Sequence, residues 1–347
     1  MHASTSAGRS GGRLLTVAAV IASCLALAAP ATAATYDVID LGTLGGASSG
    51  ATDLNDAGAV VGWSRTATGH VHAVVWRAGR TIDIGTLGGP ASSATSISNN
   101  YAVVGTSTLT AGGPRHAFLW RANQGAMHNL GLPRPVRIGD TGAIIGNGTN
   151  AADESVAAYR SQHGWIRLPL DGFDGSHGED VNDAGTAVGT LFDDPHGSAP
   201  FVYEGGVLTV LQSVPTAAET SADVINDAGL IAGRTFDPLG VVLWDGSSWH
   251  PIPTPALFEP EIHDMNDCAQ IVGAHHPVQS FKPHAFVISG GTGVDLNSQI
   301  PSGSGWRLGV ATAINDAGEI VGVGRHNGLQ RAFLLEPTSP TAVCHRA

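Results

Sequence analysis

The 347-residue chain is poor in cations, rings and sulfur: it holds one lysine (Lys282), 6% aromatic residues, three cysteines and three methionines. Seventeen Lys and Arg face 29 Asp and Glu, giving a formal net charge of −12. A chain this acidic, with no basic stripe, does not suit the phosphate backbone of a nucleic acid. Only 13% of its residues are charged and 42% are hydrophobic, which excludes a disordered chain. Beyond the N-terminus no window of a dozen residues sustains apolar spacing of three and four, so a helical fold is not expected. What is abundant is Gly (47) and Pro (19), the residues that punctuate many short strands.

One long apolar run does occur, from Leu14 to Ala29, preceded by Arg9 and Arg13 and followed by Ala31-Thr32-Ala33-Ala34. A basic start, an apolar middle and an A-x-A site read as a secretory signal peptide over residues 1–34, so the protein is expected outside the cell. The alternative is a lipoprotein anchored through Cys24, because Ile21-Ala22-Ser23-Cys24 fits a lipoprotein box; the apolar Leu25-Ala26-Leu27 after it argues against that. No later segment approaches the ~18 apolar residues of a membrane span, so no transmembrane segment is expected in the mature chain. Cys268 and Cys344 remain, a pair compatible with one disulfide in an exported protein.

A nine-residue segment recurs, clearest as Leu54-Asn55-Asp56-Ala57-Gly58-Ala59-Val60-Val61-Gly62. Its closing glycines (62, 105, 146, 189, 233, 273 and 322) lie 43, 41, 43, 44, 40 and 49 residues apart. A second element follows each copy, as in His116-Ala117-Phe118-Leu119-Trp120, and a third follows after a short turn, as in Thr81-Ile82-Asp83-Ile84-Gly85. Each unit thus supplies four short strands, a to d; in blade 1 they are Ala51–Leu54, Ala59–Trp63, His72–Trp76 and Thr81–Ile84. Asn-Asp-Ala-Gly between a and b is a hairpin turn, with Asn capping and Gly in the left-handed position. Short strands repeated every 40-odd residues predict an all-β, single seven-bladed β-propeller of four-stranded antiparallel blades. The first strand after the leader is a d strand and the last repeat ends on c. The N-terminal strand is therefore expected to pair with the last C-terminal strands and close the ring, leaving no exposed edge. The domain reading is 1–34 signal peptide, 35–337 propeller and 338–347 C-terminal tail.

The combination of Gly-Thr-Leu-Gly-Gly, Asn-Asp-Ala-Gly and His-Ala-Phe resembles the bacterial extracellular repeat proteins of the HAF family, over essentially residues 36–335. That resemblance implies repeats and export, and carries no activity. Several copies depart from the pattern: Gly139-Asp140-Thr141-Gly142 in repeat 3, Tyr101 in place of the turn glycine in repeat 2, and no His in repeats 3, 4, 5 and 7.

Because the a–b turns are near-uniform and the b–c loops vary, function is expected on the b–c/d–a face. Its candidate ligand-binding residues are Arg65, His70, Arg115, Asp153, Glu154, Asp193, Asp194, His196, Asp237, His275 and His276. No catalytic residue, metal site or cofactor is assigned. Gly46-Ala47-Ser48-Ser49-Gly50 matches G-x-S-x-G but precedes a strand, unlike a nucleophile elbow. His72, His116 and His284 read as structural hydrogen-bonders; adjacent strand residues such as His275 and His276 point to opposite faces, which disfavours a joint metal site. Cys268 stands in the a–b turn of blade 6, and the nine residues from Leu335 to Cys344 reach about 30 Å when extended, enough for a Cys268–Cys344 bridge. The expected function is a secreted binding or interaction module for an extracellular glycan or surface protein, acting as a monomer. An extracellular propeller hydrolase or lyase acting on glycans is the alternative. An enzyme would gather carboxylates at the axis, and no repeat-breaking cluster is legible there.

Overall fold

The computed structural model describes residues 36–339, except 152, 194–196, 255–256, 278–279 and 281. Seven antiparallel sheets follow one another along the chain, each running a-b-c-d from the axis outward. Blade 1 comprises Gly45–Leu54, Val60–Thr66, Val71–Arg77 and Arg80–Asp83. Blade 3, whose turn departs most from the repeat, is formed like the others. In blade 5 the innermost strand is split into Glu219–Thr220 and Val224–Ile225, both paired with the same b strand.

The ring closes as the strand order requires. Tyr36–Asp40 lies antiparallel to Leu329–Pro337, pairing Tyr36 with Pro337 and Asp40 with Phe333. It is the outer strand of blade 7, whose other strands come from the end of the repeat array. Main-chain ladder bonds therefore join the two ends of the array within one blade.

The repeat's closing glycine has a steric reason. A β-bulge displaces the a strand in blades 1, 2, 3, 4, 6 and 7, bringing an a-strand carbonyl against the glycine of strand b. A Cβ on Gly62 would collide with the Gly50 carbonyl, and one on Gly322 with the Val310 carbonyl. The same gap admits the ring of the His-Ala-Phe phenylalanine: Phe118, Phe201, Phe286 and Phe333 are fully buried, each within 3.0 Å of where a Cβ on the neighbouring glycine would stand. Burying a ring of this size stabilises by about 1.5–3 kcal/mol.

The Asn-Asp-Ala-Gly turn does more than reverse the chain. Asn55 Oδ1 accepts from Ala59 N at 2.9 Å, and Gly58 adopts φ +70°. The next residue reaches across to the neighbouring blade. Asp56 N donates to Asn99 Oδ1, Asn99 N to Asp140 Oδ1, and Asp140 N to Asp183 Oδ1. The series continues from Asp183 N to Asp227 Oδ1, Asp227 N to Asp267 Oδ1, Asp267 N to Asp316 Oδ1, and back from Asp316 N to Asp56 Oδ1. Seven side chains thus bind seven main-chain N–H groups in a closed circle. Tyr101, which replaces the turn glycine in blade 2, takes the same left-handed conformation (φ +62°), with the Arg77 guanidinium 4.2 Å over its ring.

Candidate functional site

The axis is occupied by charge. Arg137, on strand a of blade 3, contacts Asp53 of blade 1 at 2.8 Å, Asp180 of blade 4 at 3.0 Å and Asp264 of blade 6 at 2.7 Å. The second oxygens of these carboxylates accept from Ile97 N, Ile225 N and Ile314 N of the following blades, each at 2.9 Å. One guanidinium serves three buried carboxylates. Burial, reinforced by the neighbouring carboxylates against the pull of Arg137, pushes Asp264 up to about 7. Above this set, on the a–b face, opens a funnel of about 120 Å³ rimmed by the Asp and Asn turn residues. Since those residues tie each blade to the next, the funnel is the mouth of a clasp that holds the ring.

The b–c/d–a side differs. At the bulge the repeat places Thr in blades 1, 2 and 7; Thr52, Thr95 and Thr312 each donate to a carbonyl of the next blade's inner strand. Three consecutive blades replace that Thr by ionisable groups: Glu179, Asp223 and His263. Asp223 pairs with Arg234 of its own blade at 2.6 Å. Burial, with the charge of Asp223 added, raises Glu179 to about 7 despite Arg234 nearby. His263 Nδ1 lies 3.0 Å from the Ala311 carbonyl and its Nε2 3.9 Å from Glu261. A repeat-breaking cluster does therefore sit at the axis, contrary to the sequence expectation. Its residues lie along strand a and not at the loop tips.

Beside this cluster a cleft of about 290 Å³ separates blades 5 and 6, lined by Arg234, Phe236, Leu239, Glu259, Glu261 and His276, among others. Arg234 and Glu261 belong to both features, so the cleft adjoins Asp223 and Glu179 through Arg234. Phe236 supplies an aromatic wall, with the Arg234 guanidinium 5.5 Å from its ring. Exposed Phe258 and Leu239 add apolar surface on this side.

Of the described residues expected from the b–c loops, His276 alone lines this cleft. His275 is a correction: it is not a loop residue but the last of strand Ile271–His275, and only 4% exposed. Arg65 and Asp193 likewise fall within b strands, and Arg115 opens a c strand. Arg65 donates to the Gly69 carbonyl, and Arg115 reaches Thr106 Oγ1. His70, Asp153, Glu154 and Asp237 are exposed in b–c turns of blades 1, 3 and 5, dispersed around the ring. Asp194 and His196 lie outside the described residues. The His-Ala-Phe histidines behave as expected in two blades: His72 bonds Asp83 at 2.8 Å and His284 bonds Asp295 at 2.7 Å, strand c to strand d. His116 Nδ1 has no such partner.

The fold and this axial arrangement define the protein as a seven-bladed β-propeller. No family model matches the chain, and no curated protein sequence matches it. Similar solved structures include the β-propeller domain of the Trilobed protease from Pyrococcus furiosus (11% identity, TM-score 0.57, covering 90% of this chain and 98% of that one). A puromycin-hydrolyzing peptidase from Mycobacterium tuberculosis gives 10% identity and TM-score 0.57 over 89% of this chain, which spans 56% of the peptidase. Virginiamycin B lyase from Staphylococcus aureus gives 13% identity and TM-score 0.52, covering 87% and 99%. At such identities the likeness is one of fold, and function has to be argued from the site. Among the described residues no helix is long and apolar enough to cross a membrane.

Proposed function

We propose that this chain is a secreted, monomeric repeat protein of the HAF type that binds an extracellular glycan in the cleft between blades 5 and 6. The observation that carries the reading is the run of Glu179, Asp223 and His263 in place of the repeat's Thr, directly beside that cleft. A cleft of about 290 Å³ suits one or two sugar rings and is too narrow for the face of a folded protein. Phe236 offers a ring for an apolar sugar face, and the Asp223–Arg234 pair offers fixed polar atoms for hydroxyls. The export signal read in residues 1–34 supports an extracellular ligand, and a Cys268–Cys344 bridge would suit that compartment.

A second reading has its own observation. Glu179 is raised to about 7 by burial and the charge of Asp223, and Asp223 itself is ion-paired with Arg234. That is the division of labour between the acid and the base of a glycosidic cleavage. A glycan array probed with the mature protein and with Arg234→Ala tests both readings. Retention of specific glycans by the wild type, lost at least tenfold in the variant and without turnover, is the outcome expected of a binding module. Release of shortened glycan, abolished by Glu179→Gln, would replace binding by hydrolysis or lysis. Equal retention by wild type and Arg234→Ala would remove the cleft from consideration.

A further inference from the structure

Blade 6 carries a second distinctive residue, independent of the cleft, at a position that is Gly148, Leu191, Thr235 and Gly324 in blades 3, 4, 5 and 7. The b-strand position two residues after the closing glycine is Ser64 in blade 1 and Ser107 in blade 2. Both hydroxyls accept from a main-chain N–H of the Gly-Thr-Leu-Gly-Gly turn, Leu44 N and Leu87 N, at 2.8 Å. In blade 6 the position is His275, directly opposite His284 of strand c in the ladder. The following d strand brings Asp295, so three adjacent strands contribute one residue each.

His275 is the anomaly. It is 4% exposed, and neither Nδ1 nor Nε2 has a hydrogen-bond partner among the described residues. A neutral imidazole carries one donor and one acceptor, and leaving a buried polar group unpaired is destabilising. Its Nε2 stands 3.7 Å from Asp295 Oδ2, too far for a hydrogen bond. The same oxygen lies 2.7 Å from His284 Nδ1. One donor atom from each of the three residues lies within 4.8 Å of the others.

We propose that His275, His284 and Asp295 form a binding site for a divalent transition-metal ion, with zinc the best fit. Two imidazoles and a carboxylate are the ligand types that zinc takes, whereas calcium and magnesium prefer oxygen alone. Zinc bonds of ~2.1 Å in a tetrahedron place donor atoms ~3.4 Å apart. The present separations of 2.7 and 3.7 Å fall on either side of that value. The carboxylate is already oriented: Asp295 Oδ1 accepts from Asn297 N at 2.8 Å and Asn297 Nδ2 at 3.0 Å, which leaves Oδ2 to the imidazoles. Such outer hydrogen bonds hold metal ligands in place. Half-buried His284 and Asp295 leave an open side for a water or substrate oxygen as the fourth ligand. Blade 1, with its His72–Asp83 pair but Ser64 instead of a second histidine, lacks the third donor and serves as an internal control.

The test uses untagged protein, stripped with chelator and titrated with Zn²⁺ and Co²⁺. One ion per chain by elemental analysis, tetrahedral Co²⁺ absorption and a zinc-dependent rise in melting temperature are expected. His275→Ser, which installs the residue of blades 1 and 2, and Asp295→Asn should each weaken binding at least tenfold; His72→Ala should leave it unchanged. Circular dichroism establishes that each variant is folded, and either folded variant alone decides the outcome. No stoichiometric zinc, undiminished binding by a folded His275→Ser or Asp295→Asn protein, or loss of binding in His72→Ala would overturn the site.

Discussion

Arg137 Nη1 lies 2.8 Å from Asp53 Oδ1, joining strand a of blade 3 to strand a of blade 1 across the axis. The two residues occupy the same position of the repeat, 84 residues apart. Asp180 and Asp264 hold that position in blades 4 and 6 and meet the same guanidinium. The axis is thus bound together by one cation among three anions, at the level where the inner strands converge.

Removing that cation should be costly. Arg137→Ala leaves three buried carboxylates without their partner, and breaking a buried pair in this way costs about 3–5 kcal/mol. Arg137→Lys keeps the charge but loses the fork that spans three carboxylates, so its effect should be intermediate. Denaturant unfolding of the two variants measures this; a loss below about 1 kcal/mol in Arg137→Ala would show that the carboxylates find other partners.

The acids of the axis also set a pH dependence. Burial, with the neighbouring Asp183 and Asp267 charges added, raises Asp227 to about 7, and Glu179 and Asp264 rise as far. An acid with a raised folded-state pKa holds its proton better folded than unfolded. Its effect is therefore most favourable below its unfolded value near 4 and is lost as pH rises through about 7. The melting temperature should fall between pH 5 and pH 8. Asp227→Asn copies the amide that blade 2 has at Asn99, keeps an Oδ1 for Asp183 N, and removes one charge. It should raise the melting temperature at pH 8 by a degree or two and flatten the slope. An unchanged slope would locate the titration elsewhere.

The cysteines and the leader give two further checks. Cys268 stands in the a–b turn of blade 6, its N–H donating to Asn266 Oδ1; Cys344 lies outside the described residues. If the two are bridged, the mature protein gains two hydrogens in mass on reduction, and Cys268→Ala gains none. Equal masses for the wild type with and without reductant would exclude the bridge.

Expressed with its leader in a bacterial host, the protein should begin at Ala34 or Thr35 and appear in the medium. A mature chain that starts at a lipid-modified Cys24 and stays with the membrane would reverse that reading.

The unequal legibility of this protein has a physical origin. The spacing of seven glycines was enough to predict the blade count, because a blade is a local hairpin series whose turns and strand periods are written in consecutive residues. Closure followed from strand order alone: an array that opens on d and ends on c has one way to pair its ends. The His72–Asp83 and His284–Asp295 contacts are short-range in the chain, since a c-strand residue meets its d-strand partner within a dozen residues. Arg137, Glu179, Asp223 and His263 show in the sequence only as departures within strand a, where other repeats place Thr, Ser or Asp among others. What those departures do not contain is that these residues come from blades tens of residues apart and meet at one axis. His275 makes the same point at shorter range: its neighbour in the chain is His276, yet the pleat sends the two apart and the ladder pairs His275 with His284. The chain by itself determined the blade, the count and the closure, because these depend on local period and connectivity. Only the tertiary structure decided which charges share the axis, and which histidines face each other, because those distances depend on how the whole ring curves.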